Sequence, residues 1–579
     1  MDQDGACQPL HRTDSAAAGL GTGFCRSAGR GENRCHRPTV LRSGRPHYAA
    51  CLYNPRFPED FTLSLFKSLS TVGGYTFLSR ILGFVRDLVL AQVFGASAQT
   101  DAFFVAFKIP NFLRRLFAEG AFATAFVPVL TEYRTQREFR ELKDFVDHVA
   151  GTLGLVLLVV SLIGVAAAPV LVSVFAVGWV MDEETAKLAL AAEMLRLTFP
   201  YLFFISLTAF AGGILNAHDR FAIPAFTPVL LNLCLISAAL WLTPVMEQGI
   251  VALAWGVLVA GITQFTFQLP FLARIRLLPR PRPGFHDPGV VRVLKLMVPA
   301  LFAVSVTQIN LLIDTMLASF LQTGSISWLY YSDRLMEFPL GILGVALATV
   351  ILPRLSRRQA EADPRAFSQT LDWGLRMTLI FGVPAAVGLM VLAGPMIATL
   401  FQSDVFDAND VAMAERSLMA YSFGLQAFIL IKVLAPGFYA RQDTRTPVRI
   451  GVIAMVANMG LNLALIFPLQ HAGLALATSL SAYLNAYLLY RNLRQEQAYS
   501  PASGWPRLIL QVAGAALLMA GLLVWLSPTL SDWIVAGRMQ RIGMLLGLIV
   551  LGAGVYLATL LASGLRTGDL RAHESGGKD

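Results

Sequence analysis

The sequence predicts an all-α integral membrane protein with 14 transmembrane helices. Two six-helix lobes related by an internal repeat would enclose a central cationic cavity, and two additional C-terminal helices would follow them. Three observations predict this fold. The 579 residues are 55% hydrophobic and 14% charged, with a mean hydropathy of +0.59, whereas a soluble domain is about 25% charged. Apolar runs of bilayer length recur along the chain, and one motif returns after 225 residues.

Apolar runs long enough to cross a bilayer core, about 20 residues each, begin near residue 64. They predict fourteen spans, numbered here in chain order, at about residues 66–94, 100–130, 146–177, 190–215, 223–243, 249–273, 293–321, 326–354, 370–400, 412–440, 447–468, 471–491, 506–527 and 542–564.

Basic residues are concentrated in every second loop. The loop after span 2 carries Arg134, Arg137, Arg140 and Lys143, and the loops after spans 6, 8, 10 and 12 are also basic. The alternate loops are mostly acidic or polar, with the exceptions Lys187, Arg416, Arg538 and Arg541. Because cytoplasmic loops carry the excess of Lys and Arg, both termini are predicted to be cytoplasmic. These loops account for much of the net charge of +9, and no nucleic-acid partner is predicted.

An internal repeat divides the chain. The motif Ala123-Thr124-x-x-x-Pro128-x-Leu130 returns as Ala348-Thr349-x-x-x-Pro353-x-Leu355. Six helices per copy would make the two copies parallel, with a cavity between them, as in many transporters. The predicted domains are an N-terminal extension at 1–62, an N-lobe at 63–275, a C-lobe at 276–495, helices 13 and 14 at 496–565, and a cytoplasmic tail at 566–579.

The N-terminal extension is polar and rich in Arg, Gly and Pro, and we interpret it as disordered. Translation that starts near Leu63 is an alternative. The extension contains Cys7, Cys25, Cys35 and Cys51, but no Cys-x-x-Cys spacing occurs, so no metal site is predicted.

Charged residues inside the first two spans point to the cargo. Arg80, Arg86, Lys108, Arg114 and Arg115 would each cost about 2.5–3.5 kcal/mol in contact with lipid, so they are expected to face a watery interior. Fewer acids lie nearby, namely Asp87, Asp101 and Glu119. The excess of positive charge predicts a chamber for an anion, and phosphate is the obvious candidate. Pro110 is expected to kink or break span 2, so periodicity cannot decide between Arg114 and Arg115.

The second lobe adds charges in span 8, in the sequence Tyr330-Tyr331-Ser332-Asp333-Arg334-Leu335-Met336-Glu337. These side chains either line the cavity or neutralise one another as a buried network. Asp314 in span 7 is a possible ion site or a buried pair partner. Lys432 in span 10 is better explained as a pair partner.

The sequence has none of the common enzyme signatures. The chain has no His-Glu-x-x-His motif, no Gly-rich phosphate loop and no Gly-x-Ser-x-Gly elbow. A transporter without a cofactor is therefore predicted rather than an enzyme.

Long motifs in both halves resemble the MurJ/MviN family. They are Phe77-Leu-Ser-Arg80-Ile-Leu-Gly-Phe-Val-Arg86-Asp87, the stretch from Thr100 to Phe122, the span 8 sequence above and Leu434-Ala-Pro-Gly-Phe-Tyr-Ala-Arg441-Gln-Asp443-Thr. The resemblance covers about residues 64–565. It implies a flippase of the bacterial inner membrane that moves lipid II, an undecaprenyl-pyrophosphate disaccharide pentapeptide, to the periplasmic leaflet.

The resemblance also assigns roles. It implies substrate binding by Arg80, Arg86, Arg114 and Arg334 and favours Arg114 over Arg115; Asn111 and Lys108 are added as substrate contacts. Asp87, Asp101, Glu119, Asp333 and Glu337 are expected to act as gating or charge partners.

Alternating access driven by membrane potential is the expected mechanism. The expected partners are lipid II, membrane lipids and the cell-wall synthesis machinery. The alternatives are a flippase for another polyprenyl-pyrophosphate glycan and a multidrug exporter of the same superfamily, although the arginine excess argues against cationic drugs.

Overall fold

A computed structural model describes residues 59–565, without the side chains of 59–70, 117–119, 302–304, 306, 307 and 311. The described residues form helices and turns, with no strand among them. The four N-terminal cysteines, most of the predicted extension and the predicted tail lie outside the described residues.

The helices of the first half follow the predicted spans 1 to 6. They are α1 (Glu59–Phe94), α2 (Ala98–Arg114), α3 (Ala123–Gln136), α4 (Phe139–Ala166), α5 (Ala168–Phe175), α6 (Val177–Met181), α7 (Thr185–Thr198), α8 (Tyr201–Ala217), α9 (Ala222–Ser237) and α10 (Val251–Arg274). Short non-α segments complete spans 2 and 5, namely the π-helices Arg115–Phe122 and Ala238–Leu242 and the 3₁₀-helix Thr243–Val245.

The helices of the second half follow the later spans in the same way. They are α11 (Pro288–Ala318), α12 (Ser325–Pro339), α13 (Val345–Ala360), α14 (Pro364–Val391), α15 (Ala393–Leu400), α16 (Ala408–Tyr439), α17 (Arg445–Gln495), α18 (Trp505–Leu526), α19 (Leu530–Val535) and α20 (Arg538–Ala562). A π-helix at Leu340–Gly344 joins α12 to α13.

The helices have the length and apolarity of a multi-pass membrane protein. Ten helical segments in the described part of the chain are long and apolar enough to cross a bilayer. One of them is α17, where Gln470 has non-helical dihedrals (φ 51°, ψ −131°) at the predicted boundary between spans 11 and 12. Large apolar side chains such as Trp525 and Leu510 face outward, as lipid contact requires. The exact count of fourteen stays a prediction.

Two π-helical segments repeat the spacing of the sequence motif. One begins at Arg115 and the other at Leu340, a shift of 225 residues, and each follows a proline in the preceding helix. Of the kink or break expected at Pro110, a break does not occur: α2 runs through Pro110, and the π-helix begins five residues later. A π-turn adds one residue per turn and so changes which side chains share a face.

Packing gathers the helices around several apolar clusters. The cluster around Phe126 joins α3, α4 and α8, and the cluster around Phe438 joins α13, α14, α16 and the second half of α17. The first helix of the predicted C-lobe, α11, packs against α17 and also against α3 and the π-helix Arg115–Phe122. Contacts therefore continue across residue 275, and the division of the chain into two lobes there stays a prediction.

The predicted orientation can be tested with single cysteines in a chain whose five native cysteines are replaced by serine. Asp182 follows span 3 and Gln359 follows span 8, and both are exposed. We expect Asp182→Cys to react with a membrane-impermeant maleimide on intact spheroplasts and Gln359→Cys to react only after lysis. The reverse pattern of labelling would invert the topology.

Candidate functional site

Two neighbouring cavities contain most of the charged residues singled out in the sequence. The first, here the arginine cavity, has a volume of about 340 Å³ and lies between α1, α12, the π-helix Leu340–Gly344 and α16. The second, here the polar cavity, has about 200 Å³ and lies between α2, α11, α12, α16 and α17. Arg334 and Glu337 line both, so this pair forms the boundary between them.

The arginine cavity has more positive than negative charge. Its cations are Arg80, Arg86, Arg334 and Lys432, and its carboxylates are Asp87 and Glu337. Two positive charges are therefore left over on its walls. An anionic group that enters this space would complete the charge balance.

Arg86 and Asp87 form the centre of a hydrogen-bonded network on α1. The Asp87 side chain is only 2% exposed and accepts from Arg86 Nη2 at 2.7 Å and from Tyr330 Oη at 2.9 Å. Arg86 Nη1 donates to Asn232 Oδ1 at 3.1 Å, which ties α1 to α9. The Tyr330 ring stacks on Phe104 with 4.0 Å between centroids. This packing fixes the Arg86 guanidinium at the edge of the cavity.

Arg334 is held by partners but keeps a spare donor. Its Nη1 lies 2.5 Å from Glu337 Oε2, its Nε lies 4.0 Å from Asp87 Oδ2, and its guanidinium stacks over Tyr330 at 4.9 Å. Among the described residues Nε has no hydrogen-bond acceptor. A buried donor without a partner is costly, so an anionic oxygen placed here would be stabilised.

Arg80 reaches the cavity past a glycine. A Cβ on Gly341 would collide with Arg80 Nη1. A larger residue here would displace the end of the Arg80 side chain from its present position. The side chain of Arg80 is otherwise exposed, which leaves it able to reorient toward a ligand.

The polar cavity is charge-balanced. It is lined by the cations Lys108, Arg115 and Arg334 and the carboxylates Asp314, Asp333 and Glu337. Lys108 Nζ donates to Thr315 Oγ1 at 2.9 Å, and both Asp314 and Asp333 act on it electrostatically. This cavity therefore offers an anion less net attraction than the arginine cavity does.

Arg114 and Arg115 have different surroundings. Arg115 lines the polar cavity, whereas the guanidinium of Arg114 donates to Asn111 Oδ1 at 2.8 and 3.0 Å. Asn111 itself lines the cavity. Arg114 thus positions Asn111, and Arg115 brings its own charge to the wall.

Asp314 lies among carboxamides. Asn462 Nδ2 donates to Asp314 Oδ1 at 2.7 Å, and Asn458 Nδ2 lies 3.5 Å from the same oxygen and 2.8 Å from Asn310 Oδ1. Asn458 and Asn462 are buried, and the Oδ1 atoms of both have no hydrogen-bond partner among the described residues. One carboxylate and spare amide oxygens are hard oxygen ligands of the kind that bind small cations.

Asp101 is not a cavity residue; it joins the two halves of the chain. Its Oδ2 accepts from Gly324 N at 2.7 Å, and its Oδ1 accepts from Ser327 N at 2.9 Å and Ser327 Oγ at 2.6 Å. These groups belong to the N-cap and the first turn of α12, where free N–H groups attract a carboxylate. Nearby, a Cβ on Gly95 would collide with the Val405 carbonyl. The loops on this side of the molecule are therefore tightly closed. The side chain of Glu119 lies outside the described residues.

Comparison with known proteins decides the family. A family model described as lipid II flippase MurJ matches residues 90–543. The chain belongs to the MurJ family of lipid II flippases. A probable lipid II flippase MurJ from Vibrio cholerae is 51% identical over 521 residues, which cover 89% of this chain and 99% of the relative. The lipid II flippase MurJ from Burkholderia cenocepacia is 45% identical, with 87% and 98% covered.

Solved structures agree with this assignment to the MurJ family. Lipid II flippase MurJ in an inward closed conformation is 28% identical and has a TM-score of 0.72, covering 84% of this chain and 97% of that one. An inward-facing multidrug transporter of the MATE family is 14% identical with a TM-score of 0.57, covering 72% and 94%. The second likeness concerns the fold alone. The resemblance seen in the sequence motifs is confirmed.

Several residues that shape the site in this MurJ family member had no assigned role from the sequence. Asn232 and Tyr330 hold Arg86 and Asp87 beside the arginine cavity, and Gly341 lines it. Asn458 and Asn462 surround Asp314. Tyr330 lies within a quoted motif, and Asn232 is a polar residue in the apolar span 5. These signals mark positions of interest, but the partners come from helices more than 140 residues away.

The contact made by Asp101 predicts the effect of its loss. Asp101→Ala removes three hydrogen bonds to a charged acceptor, each typically worth about 1.5–3 kcal/mol, and should populate a state in which α2 and α12 separate. Spin labels on Gln99→Cys and Gln322→Cys, both exposed at this junction, should report a longer and broader distance distribution.

Asp404→Ala serves as the control for that experiment, because Asp404 is an exposed acid in the loop that packs against Gly95. It should leave the distances unchanged. Identical distance distributions for Asp101→Ala and the unmodified background would rule out Asp101 as a latch, that is, as the residue that holds α2 and α12 together.

Proposed function

We propose that this chain flips lipid II from the cytoplasmic to the periplasmic leaflet of the bacterial inner membrane. The observation that carries the proposal is the arginine cavity, in which four cations face two carboxylates. The relatives named as lipid II flippases, matched over almost their whole length, support lipid II as the cargo.

The pyrophosphate of lipid II fits this charge pattern. Arginine presents a planar fork of donors that matches phosphate oxygens and stays protonated. The spare Nε of Arg334 and the exposed head of Arg80 are the donors we assign to it, while Arg86 supplies charge from a fixed position. Asn111 and Lys108, in the adjoining polar cavity, are assigned to the sugar and peptide portions.

The cation excess also discriminates among the alternatives. A multidrug exporter that carries organic cations needs an acidic site, which this cavity is not. A flippase for another polyprenyl-pyrophosphate glycan would need the same arginines, so the choice of lipid II rests on the named relatives.

Alternating access between the predicted lobes at 63–275 and 276–495 is the mechanism we propose. The latch at Asp101 lies after span 1 and at the start of span 8, which is the predicted periplasmic side. Arg80 and Gly341 lie near the middle of the predicted spans 1 and 8. This arrangement supports a state that loads cargo from the cytoplasm, with both termini on that side. Release into the periplasmic leaflet would also bring the cargo to the cell-wall synthesis machinery.

Membrane potential is the driving force we propose for the return step. A potential of 100 mV does about 2.3 kcal/mol of work on each elementary charge. When the anionic cargo has left, the two uncompensated cations of the arginine cavity would be drawn toward the negative cytoplasmic side.

We propose a cation site at Asp314 as a second source of energy. The spare Oδ1 atoms of Asn458 and Asn462 support it. Lys108 acts on the same carboxylate, so a bound sodium ion and the Lys108 ammonium would be alternatives. Such an exchange would link ion binding to the polar cavity.

Arg80→Ala, Arg86→Ala and Arg334→Ala should each abolish flipping, because each removes a charge that offsets the pyrophosphate. The measurement is complementation in cells depleted of their own flippase, with lipid II in the outer leaflet assayed at matched protein levels. Arg334→Lys, which keeps the charge but loses the fork, should retain partial activity. Arg114→Ala should be milder than Arg115→Ala, because only Arg115 brings its charge to a cavity wall.

The matched control for complementation is Arg494→Ala, an exposed arginine in a predicted cytoplasmic loop, which should rescue growth. If the wild type fails to deliver lipid II outward, the function is wrong. Rescue by all three cavity variants would leave the function standing and discard the arginine mechanism.

Sodium should stabilise the purified protein if the Asp314 site exists. For a site with a dissociation constant near 1 mM, 100 mM sodium adds about 2.7 kcal/mol, which raises the Tm by a few degrees. Choline chloride at equal ionic strength should not do so. The sodium effect should vanish in Asp314→Ala and persist in Asp333→Asn, a carboxylate of the same cavity. An equal sodium effect in all three proteins would refute the site.

A further inference from the structure

A second basic cavity lies away from the arginine cavity and has no part in the function proposed above. It has a volume of about 500 Å³ and lies between the end of α13, the start of α14, the start of α18 and the end of α20. Its walls include Arg354, Arg358, Arg376 and Arg507. We call this cavity, defined by those four arginines, the basic groove.

Little of the charge in the basic groove is neutralised. Its single acid is Asp372, which is 2.6 Å from Arg376 Nε and also accepts from Tyr499 Oη and Trp505 Nε1, each at 2.8 Å. Arg358 pairs with Glu361, which it shares with Arg357. Among the described residues no carboxylate lies within salt-bridge distance of Arg354 or Arg507. The groove therefore has at least two uncompensated positive charges.

Hydrogen bonds and stacking contacts hold the walls of the basic groove in place. Asp372 also accepts from Ala502 N at 3.1 Å, and Arg376 Nη2 donates to Ser503 O at 2.8 Å, so this one pair fastens the loop before α18 to α14. Arg376 stacks over Trp505 at 5.3 Å and Arg354 over Trp373 at 5.6 Å. The aromatic rings hold the guanidinium groups with their edges free to donate.

Two glycines with positive φ lie in turns that line the groove. Gly504 and Gly564 have φ values of +91°, a conformation that side chains rarely adopt. A Cβ on Gly564 would lie 3.1 Å from Arg507 Nη2. The end of α20 is thus shaped to admit the arginine of α18.

The position of the groove identifies the class of ligand. All four chain segments belong to the predicted cytoplasmic side, at the ends of the predicted spans 8, 9, 13 and 14. Tryptophan is typical of the membrane interface, and Trp373 lines the groove. One turn into the membrane, Leu510 is 73% exposed, as a surface in contact with acyl chains would be. Basic pockets between helices at this level are suited to lipid phosphates.

We propose that the basic groove binds the phosphate of a lipid in the cytoplasmic leaflet, with Arg354 and Arg507 as its principal donors. An anionic glycerophospholipid and an undecaprenyl phosphate share this chemistry and differ in their tails. The occupied site would tie α18 and α20 to α13 and α14 through the lipid. Lipid binding at this groove does not depend on the transport function, because it can be measured without flipping.

The test is a lipid titration of the purified full chain in detergent, followed by native mass spectrometry. The probe is dioleoyl phosphatidylglycerol, and the variant is Arg354→Gln with Arg507→Gln. We expect the variant to weaken binding by tenfold or more, since each lost charge-assisted contact is worth about a factor of ten. The double variant Arg354→Lys with Arg507→Lys should bind with intermediate strength.

Arg365→Gln with Arg494→Gln is the matched control, because both arginines are exposed on the same predicted side and outside the groove. It should bind phosphatidylglycerol as the wild type does. Equal weakening in the control would overturn the proposal, since the effect would then be one of general surface charge. Unchanged binding in the Arg354 and Arg507 double variant would overturn it as well, provided its Tm without lipid matches the wild type.

A parallel titration with undecaprenyl phosphate identifies the source of the phosphate. Arginine-dependent binding of phosphatidylglycerol alone assigns the groove to bulk anionic lipid. Arginine-dependent binding of undecaprenyl phosphate, with displacement of phosphatidylglycerol, assigns it to the polyprenyl carrier. Binding of neither lipid through these arginines would refute a lipid-phosphate site.

Discussion

The cost of holding charge inside a membrane constrains the whole arrangement of this molecule. Each arginine exposed to lipid would cost about 2.5–3.5 kcal/mol, so the helices that contain arginines must supply partners or water. Asp87 and Tyr330 hold Arg86, and Glu337 holds Arg334. These partners are fewer than the cations around the arginine cavity. An anionic cargo can offset the remaining positive charge. Repulsion among the cations of the cavity would then favour binding of that cargo.

The backbone departs from regular α-helix next to these charged side chains. Span 8 changes from α-helix to π-helix immediately after Pro339, and Gly341 in that segment leaves room for Arg80. Span 2 makes the corresponding change at Arg115. The same type of irregularity at corresponding points of the two halves makes room beside both cavities. On the predicted periplasmic side, Asp101 joins α2 to the start of α12 through hydrogen bonds, and we propose that these bonds break and reform during transport.

The fold could be predicted from the sequence because its signals are local. Hydropathy indicated the long apolar helices, and the boundary expected between spans 11 and 12 coincides with the kink at Gln470. The site could be predicted only in part. Arg80, Arg86 and Arg334 were assigned through the family resemblance and do meet at one cavity. Periodicity could not separate Arg115 from Arg114, because the π-helix begins at Arg115 and changes the helical period. The family resemblance favoured Arg114, whereas Arg115 is the residue that lines the polar cavity. Asp101 and Tyr330 find their partners more than 220 residues away, and no spacing in the sequence encodes such contacts.

Binding of pyrophosphate in the arginine cavity would be seen directly in an experimental structure of the full chain in a lipid nanodisc with bound lipid II, or with a short-tailed lipid II that keeps the pyrophosphate. We expect density for the pyrophosphate within hydrogen-bond distance of Arg80 and Arg334, inside the arginine cavity. Pyrophosphate density beside Lys108 and Asp333 in the polar cavity, or outside both cavities, would contradict the role of the arginine cavity as the pyrophosphate site.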